Sequence, residues 1–540
     1  MRSVRVVLLP LLVVAGVMVL VAAAARSPIH PAPDASPWDA LADARPVVDQ
    51  IDRLFSRRWE AAHITPAEPA DELQVLRRLS LALYGTVPSL EEIRRFEADT
   101  ALDRLDRWTR QMLRDQRFGE YFAARLARSL IGAEQGQFIV FRRDRFTNWL
   151  ADQIRDERPY DEIVREMISS EGLWTGDPAT NFITQAVTGN HLDSNKLAGR
   201  TARAFLGQRI DCAQCHNHPF AEWQQSQFEG LAACYGQART TALGIHDDEK
   251  RKFKVEDRVT LENREVAPGV PFGDEWWPND GSLRERLAAW VTHPDNRRFE
   301  RAVVNRVWGL LYGRPWHAPV DDLPNPSDTP DVEHDLLDLL GRDFRSHNCN
   351  LQRLVFLITA AKPFRLSSQH PAFDTGENVD AVEREWAAFP LVRLRPEQMI
   401  GAMLQAASIK TIDQNSHLFT RIQRFFREQD FVKQYGDLGE QELEDRAGTI
   451  PQALLRMNGK FAQEVGEANI VTAAGRITGM APNDAECINL CFLCCLARYP
   501  TAEERDFYKA ELKSHRRQRG NIVEDLFWTL FNSPEFCWNH

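Results

Sequence analysis

Apolar residues recur at helical spacing through most of the chain. Over residues 71–84 they stand at Leu73, Val75, Leu76, Leu79 and Leu83, and Gly85 follows where a helix needs a left-handed residue to stop. Capping pairs mark three further starts. Ser89 with Glu92 precedes Ile93 and Phe96, Ser282 with Glu285 precedes Leu287, Trp290 and Val291, and Thr501 with Glu504 precedes Phe507 and Leu512. In such a pair the hydroxyl accepts from an amide of the first turn, and the carboxylate accepts from the cap's own amide. The same period predicts helices over 102–113, 121–130, 146–155, 160–168, 301–312, 336–344, 351–360, 396–406 and 523–531. The exception is 253–266. There Val255, Val259, Leu261 and Val266 are spaced by charged residues, which predicts one or two short strands, and the turn residues Pro268, Gly269 and Pro271 follow. The expected fold class is mainly α. Two helical domains, 49–245 and 282–540, flank a short β-containing junction at 246–281.

The N-terminus departs from this pattern. Arg2 and Arg5 precede an uncharged run over 6–25 that ends in four alanines. A basic start, an apolar stretch and small residues make an export signal, and the run is also long enough to stay as an anchor. The positive flank orients the bulk of the chain to the exported side. Residues 26–48 carry Pro28, Pro31, Pro33, Pro37 and Pro46, the composition of an extended tether. The expected location is therefore exported, on the periplasmic or cell-surface side, with membrane contact through the N-terminal segment.

Composition narrows the function. Of 540 residues 43% are apolar, enough for a large core, and the net charge of −11 argues against nucleic acid as a partner. Nine cysteines are too few for a disulfide framework, and their number is odd. The chemistry concentrates in Cys212-Ala-Gln-Cys215-His216, the spacing at which haem c is attached. Two thiols about one turn apart can each bond a vinyl group, and the adjacent imidazole can ligate iron. Asp211 is expected to cap a short helix there, and Pro219 to end it near His218. The same residues allow two other occupants. Cys212, Cys215, His218 and Cys234 could hold zinc tetrahedrally, and Cys212 with Cys215 could form a disulfide clip. For an iron bound by His216, the second axial ligand is open among His191, His246, Met112 and Met167. Phe220, Trp223, Phe228, Leu231 and Tyr235 share a helix face that would be core or would cover a porphyrin edge.

Several motifs in order resemble a known pair of domains. Arg77-Arg-Leu-Ser-Leu-Ala-Leu-Tyr-Gly-Thr-Val-Pro-Ser, Asn148-Trp-Leu, Arg158-Pro-Tyr-Asp-Glu-Ile-Val and Cys212-Ala-Gln-Cys-His-Asn-His-Pro-Phe are similar to the planctomycete-secreted cytochrome-like domain. The second half resembles the planctomycete-secreted domain that follows it. Its matching residues are Leu287-Ala-Ala-Trp-Val-Thr-His-Pro-Asp-Asn, Val304-Asn-Arg-Val-Trp, Pro319-Val-Asp-Asp-Leu, Leu454-Leu-Arg-Met-Asn-Gly, Arg498-Tyr-Pro-Thr and Phe531-Asn-Ser-Pro-Glu-Phe. The resemblance implies export, a mostly helical fold and a cytochrome-like site, and it names no reaction.

Other clusters read as structure. Cys487, Cys491, Cys494 and Cys495 share one face of a helix and pack as small apolar residues. Asp321, Asp322, Asp328 and Asp331 lie in a Pro-rich loop without the spacing of an EF-hand. Trp276 and Trp277 fit packing at the junction, and Asn305 and Arg306 fit the satisfaction of buried polar groups between the halves. Phosphate loops, dinucleotide fingerprints, nucleophile elbows and zinc-protease motifs do not occur. Two functional classes remain. One is a cytochrome-like protein with an exported redox or cell-surface partner, in electron transfer or ligand sensing. The other is a non-redox scaffold or binding protein in which the Cys/His turn holds zinc or acts as a clip.

Overall fold

The helix Glu72–Tyr84 starts and stops where its sequence indicates. Asp71 Oδ1 accepts from the Leu73 amide at 2.9 Å, and Gly85 ends the helix at φ 68°. A Cβ on Gly85 would also run into the ring of Tyr121, so glycine serves both the turn and the packing. All three predicted capping boxes form in both directions. Glu92 N donates to Ser89 Oγ at 3.1 Å while Ser89 N donates to Glu92 Oε2 at 2.9 Å, and the pairs Ser282/Glu285 and Thr501/Glu504 repeat this.

The computed structural model describes residues 41–540 except 133–140, 189–190, 220, 257–260, 328 and most of 414–458. The expected signal segment and most of the Pro-rich stretch lie outside the described residues. Residues 42–540 group into one compact unit. It is mainly α, and the strands among the described residues form four two-stranded antiparallel ladders. One, Lys254–Glu256 with Asn263–Glu265, lies in the stretch expected to hold one or two short strands. Two others, Ala238–Thr241 with Gly244–Asp247 and Val392–Arg393 with Trp538–Asn539, gave no sequence signal because each offers too few alternating positions. Among the described residues no helix is long and apolar enough to cross a membrane.

Helix starts differ from expectation where the first turn is polar. Gln116–Ile131 begins ahead of 121 because Asp115 Oδ1 accepts from the Arg117 amide at 2.9 Å. The helix Leu41–Ala62 begins inside the stretch expected to be tether and contains Pro46. A proline inside a helix costs about 3 kcal/mol. The buried face of Ala44, Val48, Ile51, Leu54, Phe55 and Trp59 offsets this, since a fully buried large apolar side chain contributes roughly 1.5–3 kcal/mol.

Two adjacent buried arginines tie the first helices to the chain's last residues. Arg77 donates to the carbonyls of Cys495 (3.1 Å), Glu535 (3.2 Å) and Phe536 (3.1 Å). Arg78 donates to His540 O (2.6 Å), Phe364 O (2.9 Å) and Leu366 O (2.6 Å), and stacks over Phe389 at 3.9 Å. Burial lowers Arg77 to about 10 and Arg78 to about 9. Apart from His540 O, the acceptors are carbonyl dipoles, which carry only partial charge.

Candidate functional site

The cysteine turn hangs from a clamped lead-in. The helix Ser194–Thr201 opens on Asp193, whose Oδ1 accepts from Lys196 N at 3.0 Å, and runs into a π-type turn, Ala202–Leu206, that stops at Gly207 with φ 61°. Leu323 N donates to Gly207 O at 2.8 Å, Gln208 Nε2 donates to Leu323 O at 2.8 Å, and Arg209 Nε meets Asp321 Oδ1 at 2.7 Å. The loop that sequence alone offered as an acidic cluster is thus a brace for this segment. Ile210 and Ala213 are buried and anchor the following 3₁₀ turn, Asp211–Gln214. Cys212, Cys215 and His216 are exposed.

Asp211 does not cap this turn as expected. The turn is a 3₁₀ piece preceded by Ile210, with Asp211 already inside it, and the Asp211 carboxylate faces Arg203 Nε at 3.6 Å. Its Oδ1 would lie 2.5 Å from a Cβ on Gly199, so the bare backbone of the helix Ser194–Thr201 receives it. The chain leaves the turn near Pro219, as predicted. His218 N donates to Trp223 O at 2.8 Å, and Asn217 Oδ1 accepts from Gln225 N at 3.0 Å.

His216 Nδ1 lies 2.7 Å from Asn217 O. A carbonyl oxygen only accepts, so Nδ1 carries a proton, and in the neutral ring the lone pair is on Nε2. That is the tautomer of an imidazole ready to ligate through Nε2, with the backbone orienting the ring.

The aromatic face following the turn is core. Phe228, Leu231 and Tyr235 are buried against the helix Ser194–Thr201, and the Tyr235 and Thr201 hydroxyls share a 2.7 Å hydrogen bond. Trp223 is half-buried and lies ahead of the helix Gln225–Ala233, while Phe220 falls outside the described residues. Cys234, a member of the zinc alternative, is fully buried. Its thiol donates to Gly230 O at 3.4 Å, and burial pushes it up to about 12, which favours the protonated form over a thiolate ligand. Among the described residues no group of three or more His, Cys, Asp or Glu is placed to hold a metal ion. Of the second-ligand candidates, Met112 and Met167 are buried in core, His191 is exposed on a strand, and His246 is half-buried beside Thr241.

The remaining clusters are structural. Cys487, Cys491, Cys494 and Cys495 are buried in the helix Asp484–Leu496, and burial pushes Cys494 up to about 12. Asp331 pairs with His334, and Asp328 lies outside the described residues. Trp276 stacks on His293 at 5.3 Å, and Arg286 sits 4.7 Å over Trp277. Asn305 donates to the carbonyls of His317 (3.0 Å) and Val320 (3.2 Å) and accepts from His317 N at 2.8 Å.

One feature had no sequence signal. Asp211 also stands on the wall of a cavity of about 1280 Å³, lined by arginines drawn from widely separated segments. Neither composition nor periodicity could assemble it.

Residues 50–240 match a family model described as PSCyt2, protein of unknown function (DUF1549). Residues 283–425 match one described as PSD1, protein of unknown function (DUF1553). No curated protein and no solved structure matches the chain.

Proposed function

Because the chain joins a planctomycete cytochrome-like PSCyt2 domain to a PSD1 domain, both of unknown function, we propose that it is an exported, membrane-tethered cytochrome-like protein. In this reading Cys212 and Cys215 would hold haem c through thioether bonds, and His216 would ligate its iron. The observation that carries it is the 2.7 Å contact of His216 Nδ1 with Asn217 O, which in the neutral ring leaves Nε2 for a metal. Both thiols stand exposed on the same turn as that imidazole, while Ile210 and Ala213 hold the backbone from beneath.

Haem bound there would supply one-electron exchange or the binding of a small ligand. The chain's own residues do the rest. Asn217 orients the imidazole through its carbonyl while its side chain is held by the Gln225 amide. The brace of Arg209 on Asp321 and Gln208 on Leu323 keeps the turn in register with the body. The basic start and apolar run over 2–25 provide export and a membrane tether, and an exported redox or cell-surface protein is the partner.

The test is the full chain produced in a host that matures c-type cytochromes. The expected result is a polypeptide whose intact mass exceeds its amino acids by one haem and which keeps a haem stain after denaturing electrophoresis. A mass equal to the polypeptide alone would overturn the reading. The protein would then stand as a non-redox scaffold with the turn as a structural clip.

A further inference from the structure

The arginine-lined cavity lies beside the cysteine turn and shares Asp211 with it. Its wall takes Arg200 and Arg203 from the PSCyt2 match, Arg306 and Arg314 from the PSD1 match, and Trp538 from the chain's end. Val392–Arg393 pairs with Trp538–Asn539 to close one side. Seven arginines face three carboxylates on this lining. Two of those carboxylates are already engaged, Asp321 with Arg209 at 2.7 Å and Asp211 with Arg203 at 3.6 Å, and a fourth carboxylate, Glu397 off the lining, pairs with Arg128. The cavity therefore keeps a net positive lining whether or not these pairs hold. Arg200 and Arg306 are nine-tenths buried, which places cationic groups in a low-dielectric recess where an incoming anion is attracted more strongly than at an open surface. The lining also carries apolar groups, among them Phe373, Phe389, Pro390 and Leu391. At about 1280 Å³ the space exceeds the roughly 300–1,000 Å³ of an ordinary small-molecule pocket.

Planar guanidinium forks match carboxylate, sulfate and phosphate oxygens, and the apolar groups match a carbon skeleton. We propose that this cavity binds an organic anion carrying two or more carboxylate, sulfate or phosphate groups on an apolar body. Cys212, Cys215 and His216 are not on the lining, so binding does not depend on haem.

Calorimetry on the full chain tests this with three probes: naphthalene disulfonate, benzene tetracarboxylate and inorganic pyrophosphate. The two aromatic anions are expected to bind, to weaken as salt is raised, and to outcompete neutral naphthalene diol. Pyrophosphate binding as tightly as the aromatic anions would overturn the requirement for an apolar body. Arg203→Gln with Arg393→Gln is expected to weaken the aromatic anions at least about tenfold, the loss of a charge-assisted hydrogen bond. Leu391 is 58% exposed. Leu391→Trp should therefore fold like the parent and weaken binding by filling the space, with thermal melts reported for every variant. Cys212→Ala with Cys215→Ala should leave the affinity within about twofold. No binding by the parent, or the arginine and Leu391 variants binding as tightly as the parent, would overturn the site.

Discussion

The chain holds two sets of cysteines in opposite circumstances. Cys212 and Cys215 sit exposed on a short 3₁₀ turn pinned by Ile210 and Ala213. Cys487, Cys491, Cys494 and Cys495 face inward from the helix Asp484–Leu496, and the Cys495 carbonyl accepts from Arg77. By spacing alone both sets could serve chemistry. Burial separates them: it raises Cys491, Cys494 and Cys495, which keep their protons and pack as small hydrophobic residues, while a hydrogen bond with Cys491 lowers Cys487. The exposed pair alone combines access with a neighbouring imidazole in the ligating tautomer.

The most severe break of this comparison is Cys212→Ala with Cys215→Ala. It should abolish covalent haem, read as stain and mass, whereas Cys494→Ala should leave haem attachment intact. In protein made without haem, alkylation near neutral pH should add two adducts, at Cys212 and Cys215, at least about a hundredfold faster than at the seven buried thiols, whose labelling waits on local opening. Intact mass over time reads this directly, and early labelling of the helix set would sink the distinction. Cys491→Ser should destabilise by about 1–3 kcal/mol in denaturant melts, by burying a hydroxyl, against less than about 0.5 kcal/mol for Cys212→Ser.

The buried thiols also set a pH limit. Burial raises Cys234, Cys349 and Cys494 to about 12 from an ordinary value of 9.0. Above pH 9 the unfolded chain therefore releases protons that the folded chain keeps. Their contribution to stability is whole below about pH 9 and is lost as pH climbs toward 12, by roughly 1 kcal/mol per group per unit. Melting temperature should fall across that window, and a flat profile would contradict it. The smallest effect is expected from Gly199→Ala. The new methyl group displaces the Asp211 carboxylate from the helix Ser194–Thr201 at a cost of about 1 kcal/mol, and should lower haem yield without abolishing it.

The features legible in the sequence are local ones. The stop at Gly85 and the three reciprocal capping boxes follow from residues close along the chain, and they form as expected. The polar first turn of Gln116–Ile131 and the Pro-bearing start of Leu41–Ala62 escaped, since periodicity sees only apolar stripes and the burial that rescues Pro46 comes from distant helices. Within the candidate site, the spacing of two thiols and an imidazole was legible in the pentapeptide. It could not reveal that Asp211 turns to Arg203 instead of capping, that Cys234 is sealed inside, or that the aromatic stripe is core.

The amino-acid order by itself determined helix content, helix ends and the presence of two thiols and an imidazole at haem-attachment spacing, because each depends on neighbours along one chain. Only the tertiary structure decided which cysteines meet solvent and where seven arginines from distant segments surround one cavity. Those properties are set by burial and by contacts across long sequence separations, and no local pattern encodes them.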